Sequence, residues 1–216
     1  MTTTFRAWLV SLLLTAAIVW ISIRWLDRPI ALWVHGVHGE RVLPPGLTES
    51  PVSLISAVPA FVFFLCGLIA VMGRRPSKPE TAIAMSAISA LAAIIIKDQL
   101  KLVFGRTWPD TWAPGIASFV RNGTYGFHFF HSGKSFESFP SGHATVAAAI
   151  LSVVCILFPK LRAPGAICML AVDISLVTFN VHFLSDTIAG TFIGFSTALF
   201  TVVLWRTMSG ELAQPT

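Results

Sequence analysis

The sequence predicts an all-α, polytopic membrane protein whose six transmembrane helices form one bundle, and three observations predict it. Of its 216 residues, 55% are hydrophobic and only 12% are charged, where a soluble domain carries about 25% charged residues. The apolar residues come in blocks long enough to cross a hydrocarbon core, which takes roughly 20 helical residues. Proline and glycine punctuate the gaps between those blocks. A very apolar soluble core, the competing reading of a mean hydropathy of +0.76, fails on block length.

The first run, Ala7 to Ile23, ends in Arg24-Trp25-Leu26-Asp27. It exceeds the roughly 7–15 residues of a signal-peptide core and lacks a small-residue cleavage site, so it reads as a retained helix at about 7–26. Pro44-Pro45-Gly46 precedes a second helix at 53–72, and Pro76 and Pro79 precede a third at 81–104, which Gly105 stops. The fourth, at 143–159, and the fifth, at 163–183, are separated by Pro159 and Pro164. A sixth follows at 185–206. No repeat, low-complexity tract or linker divides the chain, so residues 1–216 read as one domain.

Orientation follows from charge. The ends and the 73–80 and 159–164 loops hold seven Lys/Arg (Arg6, Arg74, Arg75, Lys78, Lys160, Arg162 and Arg206) against Glu80 and Glu211. Basic short loops mark the cytoplasmic side. The 27–52 loop, the 105–142 loop and the 183–186 turn then lie outside, on a protein integral to the cell (inner) membrane. The net charge of +5 is topological punctuation, without the basic stripe and interleaved aromatics of a nucleic-acid binder. Cys66, Cys155 and Cys168 lie in apolar runs without metal-ligand spacing, which points to membrane hydrophobes rather than a disulfide or redox pair.

This topology brings three polar motifs to the same outer boundary. Pro140-Ser141-Gly142-His143 opens the fourth apolar run. A helix N-terminus offers free N–H groups and partial positive charge to a phosphate. Gly142 permits close backbone approach, Ser141 caps the helix or donates its hydroxyl, and His143 is placed to protonate a leaving oxygen. Alone, the motif reads first as an ordinary Ser-Gly cap beside a bystander histidine. His182 and Asp186, four residues apart, share one face if the segment is helical. A carboxylate holding one imidazole nitrogen leaves the other as nucleophile or base; a structural hydrogen bond is the plainer alternative, and two histidines with one Asp make a poor metal site. Lys101 sits at the outer end of the third helix, where an intramembrane lysine is by default functional, unless it only snorkels to the interface. Lys97, one turn deeper, needs a partner; Asp98 and Asp173 are the nominees, and Lys97–Asp173 is the pairing expected. The 105–139 loop adds Arg106, Arg121, His128, His131 and Lys134 among many aromatics, which form either an interfacial belt or a groove for lipid.

Together these pieces resemble the type 2 phosphatidic acid phosphatase superfamily, related to the vanadium haloperoxidases. That family carries lysine, six residues, Arg-Pro; then Pro-Ser-Gly-His; then Ser-Arg, five residues, His, three residues, Asp. Here these read Lys101 to Pro109, Pro140 to His143, and Ser175-Leu176 to His182 and Asp186, over roughly residues 50–206. Trp108 and Leu176 stand where the family has phosphate-binding arginines. Losing one preorganised donor of that kind costs about 10²–10³ in rate. Arg106, with either Arg121 or Lys134, is expected to take over the clamp, though Lys134 reads equally as a solvated charge.

The resemblance implies a six-helix phosphatase bundle and a lipid phosphatase without cofactor or metal. His182 would form a phosphohistidine, Asp186 would hold its ring, and His143 would act as acid and then base. Lys101, Ser141 and Gly142 would bind the phosphoryl oxygens. The implied substrate is a phosphate or diphosphate monoester on a lipid: polyprenyl diphosphate, phosphatidic acid, phosphatidylglycerol phosphate or lipid A phosphate. The other readings are a lipid-to-lipid phosphotransferase, a catalytically weak phospholipid-binding homologue, and a transporter. Neither the lipid nor the oligomeric state is legible in the sequence.

Overall fold

A computed structural model describes residues 2–39, 76–111 and 115–210, with positions 62 and 67. Among the described residues the regular structure is helical, apart from three isolated bridges within the outer loop. The expected helix at 53–72 lies outside the described residues.

Helix α1 (Thr2–Ile21) runs through a π-helical turn, Ser22–Leu26, into α2 (Asp27–His38). This corrects two expectations, a helix ending at 26 and an outer loop starting at 27. The cause is local. Pro29 has no N–H for the carbonyl four residues back and its ring crowds that carbonyl. The widened π turn absorbs the conflict, with the Asp27 N–H bonded to the Ser22 carbonyl. The helix then continues to Gly39, whose φ of 66° ends it. The turn also brings Asp27 onto the inner face, where it is 1% exposed.

Helix α3 (Lys78–Phe104) starts at Ser77, whose N–H and hydroxyl both donate to Glu80 at 2.8 Å. It stops at Gly105, at φ 54°, where a Cβ would fall 1.9 Å from the His128 carbonyl oxygen. The loop after α3 holds one turn of helix, α4 (Phe119–Asn122), and a 3₁₀ turn, Lys134–Phe136. Helix α5 (Gly142–Leu157) is followed by a 3₁₀ turn and α6 (Arg162–Thr178). Helix α6 was expected to reach 183. It ends five residues earlier because the Leu176 carbonyl accepts the N–H groups of Val181 and His182, at 3.0 and 3.2 Å, which closes a turn. Helix α7 (Leu184–Met208) completes the chain described.

Among the described residues, four helical stretches, Thr4–His38, Lys78–Phe104, Pro159–Thr178 and Leu184–Met208, are long and apolar enough to cross a membrane, and Gly142–Leu157 is a shorter apolar helix. The burial pattern suits lipid: large residues such as Leu13, Trp33 and Ile95 face outward, while Ala90, Ala93, Ala149 and Ala198 are enclosed. Small residues let helix backbones approach closely in a bilayer. The closest case is α5 on α7, where a Cβ on Gly194 would lie 2.2 Å from the Thr145 oxygen and one on Gly190 2.6 Å from the Ser141 oxygen. The Ser141 N–H donates to the Asp186 carbonyl at 3.0 Å. The N-termini of α5 and α7, which carry two of the three motifs, are thereby locked together.

Candidate active site

The three motifs meet at the start of α5. Ser141 is fully enclosed and caps α5: its Oγ accepts the Ala144 N–H at 3.4 Å and its carbonyl accepts the Thr145 hydroxyl at 2.6 Å. His143 is exposed at the mouth. His182 is buried below it, 3% exposed, with 6.4 Å between the two ring centroids. One tetrahedral anion can touch both rings across that gap. His182 lies in the turn before α7, so it shares no helix face with Asp186; the turn itself apposes them, with Nδ1 3.6 Å from Asp186 Oδ2. That is an ion-pair distance rather than a hydrogen bond, and Nδ1 makes no hydrogen bond to another described group. Burial pushes the His182 imidazole below its usual range, against the opposing pull of Asp186.

Asp186 is held from every side. Its Oδ2 accepts the Ser138 hydroxyl at 2.6 Å and the Phe183 N–H at 3.0 Å, and its Oδ1 accepts Arg106 Nη1. Arg106 also donates through Nη2 to Asp27 Oδ2 at 2.7 Å, and Asp27 Oδ1 accepts the Ser185 N–H at 3.0 Å. Arg106, Asp27 and Asp186 side chains are all sealed from solvent. The guanidinium carbon lies 4.3 Å from the Phe183 ring centroid and 4.8 Å from that of Phe127. Although burial alone would lower the Arg106 pKa, Asp186 and Asp27 raise it above its ordinary value.

This corrects the expectation that Arg106 clamps a phosphoryl group. Its charge is committed to two buried carboxylates, Asp186 and Asp27. Among the described residues, no side-chain contact joins either of the other proposed substitutes to His143 or His182. Arg121 donates through Nε to Asp110 at 2.8 Å. Lys134 is exposed, and it is its backbone carbonyl that accepts the Trp108 indole N–H, at 2.6 Å. Trp108 itself packs at a tilt against His182 with centroids 5.2 Å apart, and Lys101 Nζ lies 5.8 Å from the Trp108 ring centroid. The Leu176 side chain is buried.

Lysine placement departs from expectation too. A methyl group on Gly142 would lie 3.4 Å from Cδ and Cε of Lys97 and 3.9 Å from Nζ of Lys101. Lys97 pairs with Asp98, whereas Asp173 accepts the Thr191 hydroxyl at 2.9 and 3.1 Å; the expected Lys97–Asp173 pair does not form. Asp27, Ser138 and Ser185 went unmarked in the sequence. Of these, Asp27 alone carried a signal, as a carboxylate at the end of an apolar run. Beside the site, an apolar cavity of about 410 Å³ opens among α1, α3, α7 and the loop aromatics Phe127, Phe129 and Phe139. Those rings therefore line a groove.

The family model of the PAP2 superfamily matches residues 81–209. Lipid A 1-phosphatases of Rhizobium johnstonii and Rhizobium etli are each 26% identical over 176 residues, 82% of this chain. The chain spans only 59% and 62% of the lengths of these two relatives. A solved structure, the first transmembrane PAP2 type phosphatidylglycerolphosphate phosphatase from Bacillus subtilis, is 20% identical, with 96% of this chain and 98% of that one covered and a TM-score of 0.48.

Proposed function

Because the chain belongs to the PAP2 superfamily, we propose that it removes a phosphate from a membrane lipid at the extracytoplasmic face, without a metal. The observation that carries this reading is the pair His143 and His182, 6.4 Å apart between ring centroids at the α5 N-terminus. Lys101 reaches the same place, as its distance to Gly142 attests.

In the mechanism, the outward nitrogen of His182 attacks phosphorus and the P–O bond to the lipid breaks. The leaving oxygen takes a proton from His143, and His182 becomes a phosphohistidine. Neutral His143 then takes a proton from water, the resulting hydroxide attacks phosphorus, and phosphate leaves the imidazole. Asp186 faces Nδ1 and balances the charge on the ring as it forms. The Gly142 N–H, the Ser141 hydroxyl and Lys101 bear the charge on the phosphoryl oxygens, which is where this chemistry is accelerated. The apolar cavity suits an acyl chain, whose burial contributes about 0.8 kcal/mol per CH₂. The substrate is a lipid phosphate or diphosphate monoester. The names of the two relatives support lipid A phosphate as the member of that class to test first.

Trp108 and Leu176 favour one competing reading, a homologue that binds phospholipid without turning it over. Phosphate release from lipid A 1-phosphate, phosphatidic acid, phosphatidylglycerol phosphate and a polyprenyl diphosphate, in detergent with EDTA, decides between them. Release by wild type that disappears in His182→Ala is expected, with acid-labile phosphate trapped on wild type. Equal inertness of both proteins on every lipid refutes hydrolysis at this site.

A further inference from the structure

The site has to bear the two or so negative charges of a phosphate monoester with both family arginines gone. Among the described residues, the loop cations do not supply the deficit. Arg106 is neutralised by Asp27 and Asp186, Arg121 is paired with Asp110, and the Lys134 side chain is exposed on the loop. One further cation borders the phosphate-binding backbone. The stem of Lys97 passes along Gly142, with Cδ and Cε both 3.4 Å from where a Cβ would stand. Lys97 is 6% exposed, one helical turn below Lys101 on α3. We infer that Lys97 is the second phosphate-binding cation of this site, and that with Lys101 it forms a two-lysine clamp around the Gly142 amide.

The clamp is chemically consistent. Residues four apart on a helix project to one side, so the Lys97 stem and the Lys101 ammonium both approach Gly142 from α3. A lysine carries a compact charge on a flexible stem. Rotation about the Cδ–Cε bond alone re-aims Lys97 Nζ without moving the stem. In this structure that Nζ rests on Asp98, whose side chain is 52% exposed. Asp98 also borders a small polar pocket with Lys101, His131 and Glu137. A half-solvated carboxylate is a weak competitor for the ammonium compared with a desolvated phosphate. Asp98 therefore acts as the resting partner of Lys97, and phosphate displaces it. A lysine paired only for burial would gain nothing from losing Asp98, whereas a lysine held back from phosphate would gain.

This inference rests on the phosphatase reading of the site, and the test separates the two. Orthovanadate, a phosphate mimic, is titrated against full-length protein in detergent, with affinity read from thermal stabilisation. Charge-assisted hydrogen bonds set the expected scale. Lys97→Met weakens vanadate binding by about ten- to a hundredfold, as Lys101→Met does. Lys97→Arg retains most of the affinity. Asp98→Asn tightens binding, the opposite sign to that of a merely structural pair. If Lys101→Met loses affinity while Lys97→Met stays within about threefold of wild type, the clamp is overturned and the site reading stands. If neither lysine variant nor His143→Ala alters vanadate affinity, the site reading itself is wrong. Should Lys97→Met fail to fold, Asp98→Asn decides: tighter binding supports the clamp, and unchanged or weaker binding overturns it.

Discussion

Replacing Asp27 by asparagine removes one of the two carboxylates that neutralise Arg106 while keeping the side chain's shape. The change strikes a network in which no member is solvated: Asp27, Arg106 and Asp186 are sealed, and Ser185 is fully enclosed. Asp27 accepts from the Arg106 guanidinium, the Ser185 N–H and the Ser185 hydroxyl. An asparagine keeps one acceptor oxygen and points an amide N–H₂ at donors, so at least one charge-assisted bond is lost and one donor is left unpaired. Breaking a buried ion pair by removing one partner costs about 3–5 kcal/mol. Arg106 retains Asp186 here, so the lower end, about 3 kcal/mol, is the expected loss. For a chain of this length that corresponds to a fall of roughly 6–12 °C in melting temperature. The assay is thermal unfolding in detergent of Asp27→Asn, Arg106→Gln and the double variant. Because the two residues are in direct contact, the cycle should return a coupling of about 1–3 kcal/mol. Turnover should fall as well, since Arg106 holds the carboxylate facing His182. A coupling within about 0.3 kcal/mol of zero, with Asp27→Asn melting like wild type, would refute the claim that α2 braces the site through Arg106.

Burial holds the His182 imidazole below the usual 6.5, so the folded state resists its protonation. The stabilisation it brings is present above 6.5 and is lost as pH falls from there through the lowered folded pKa. The melting temperature of wild type relative to His182→Gln should therefore drop between pH 7.5 and 5, and a constant difference would contradict this. Gly194→Ala places a Cβ 2.2 Å from the Thr145 oxygen and 2.7 Å from the Ala149 nitrogen, forcing α5 from α7 at a cost of about 1–3 kcal/mol. Gly36→Ala meets nothing within 4 Å and should be neutral or stabilising by up to about 1 kcal/mol; both are read from thermal melts. Lys134→Ala and Arg121→Ala should leave phosphate release within about twofold of wild type. Lys134 meets Trp108 only through its backbone, and an exposed pair such as Arg121–Asp110 contributes about 0.2–1 kcal/mol. A hundredfold loss in either would return that cation to the phosphate.

The parts of the site legible in the sequence are those fixed by neighbours a few residues away. The Ser141 cap, the Gly105 stop and the apolar runs of α3 and α7 are local decisions, and the structure makes them where the sequence says. Helix α2 was hidden for a local reason of a different kind: Arg28-Pro29 reads as a stop, and a π turn upstream makes the proline tolerable. The pairing of charges is another matter. A buried charge in a membrane announces that it has a partner, but nothing in its position names the partner. Lys97 took Asp98, its neighbour, although adjacent residues on a helix normally diverge; a long stem overrode that rule. Arg106 took Asp27, 79 residues away, because the π turn aimed Asp27 inward. The same fact explains why nearness in sequence to the vacated Trp108 position misled. Residues 106 and 108 both reach the His182–Asp186 pair, but Trp108 lies against the imidazole and Arg106 lies behind the carboxylate. Arg106 is thus held by Asp186 and Asp27. Under the proposed function, the cation that replaces a lost arginine is to be sought beside Gly142, where α3 brings the Lys97 stem and the Lys101 ammonium.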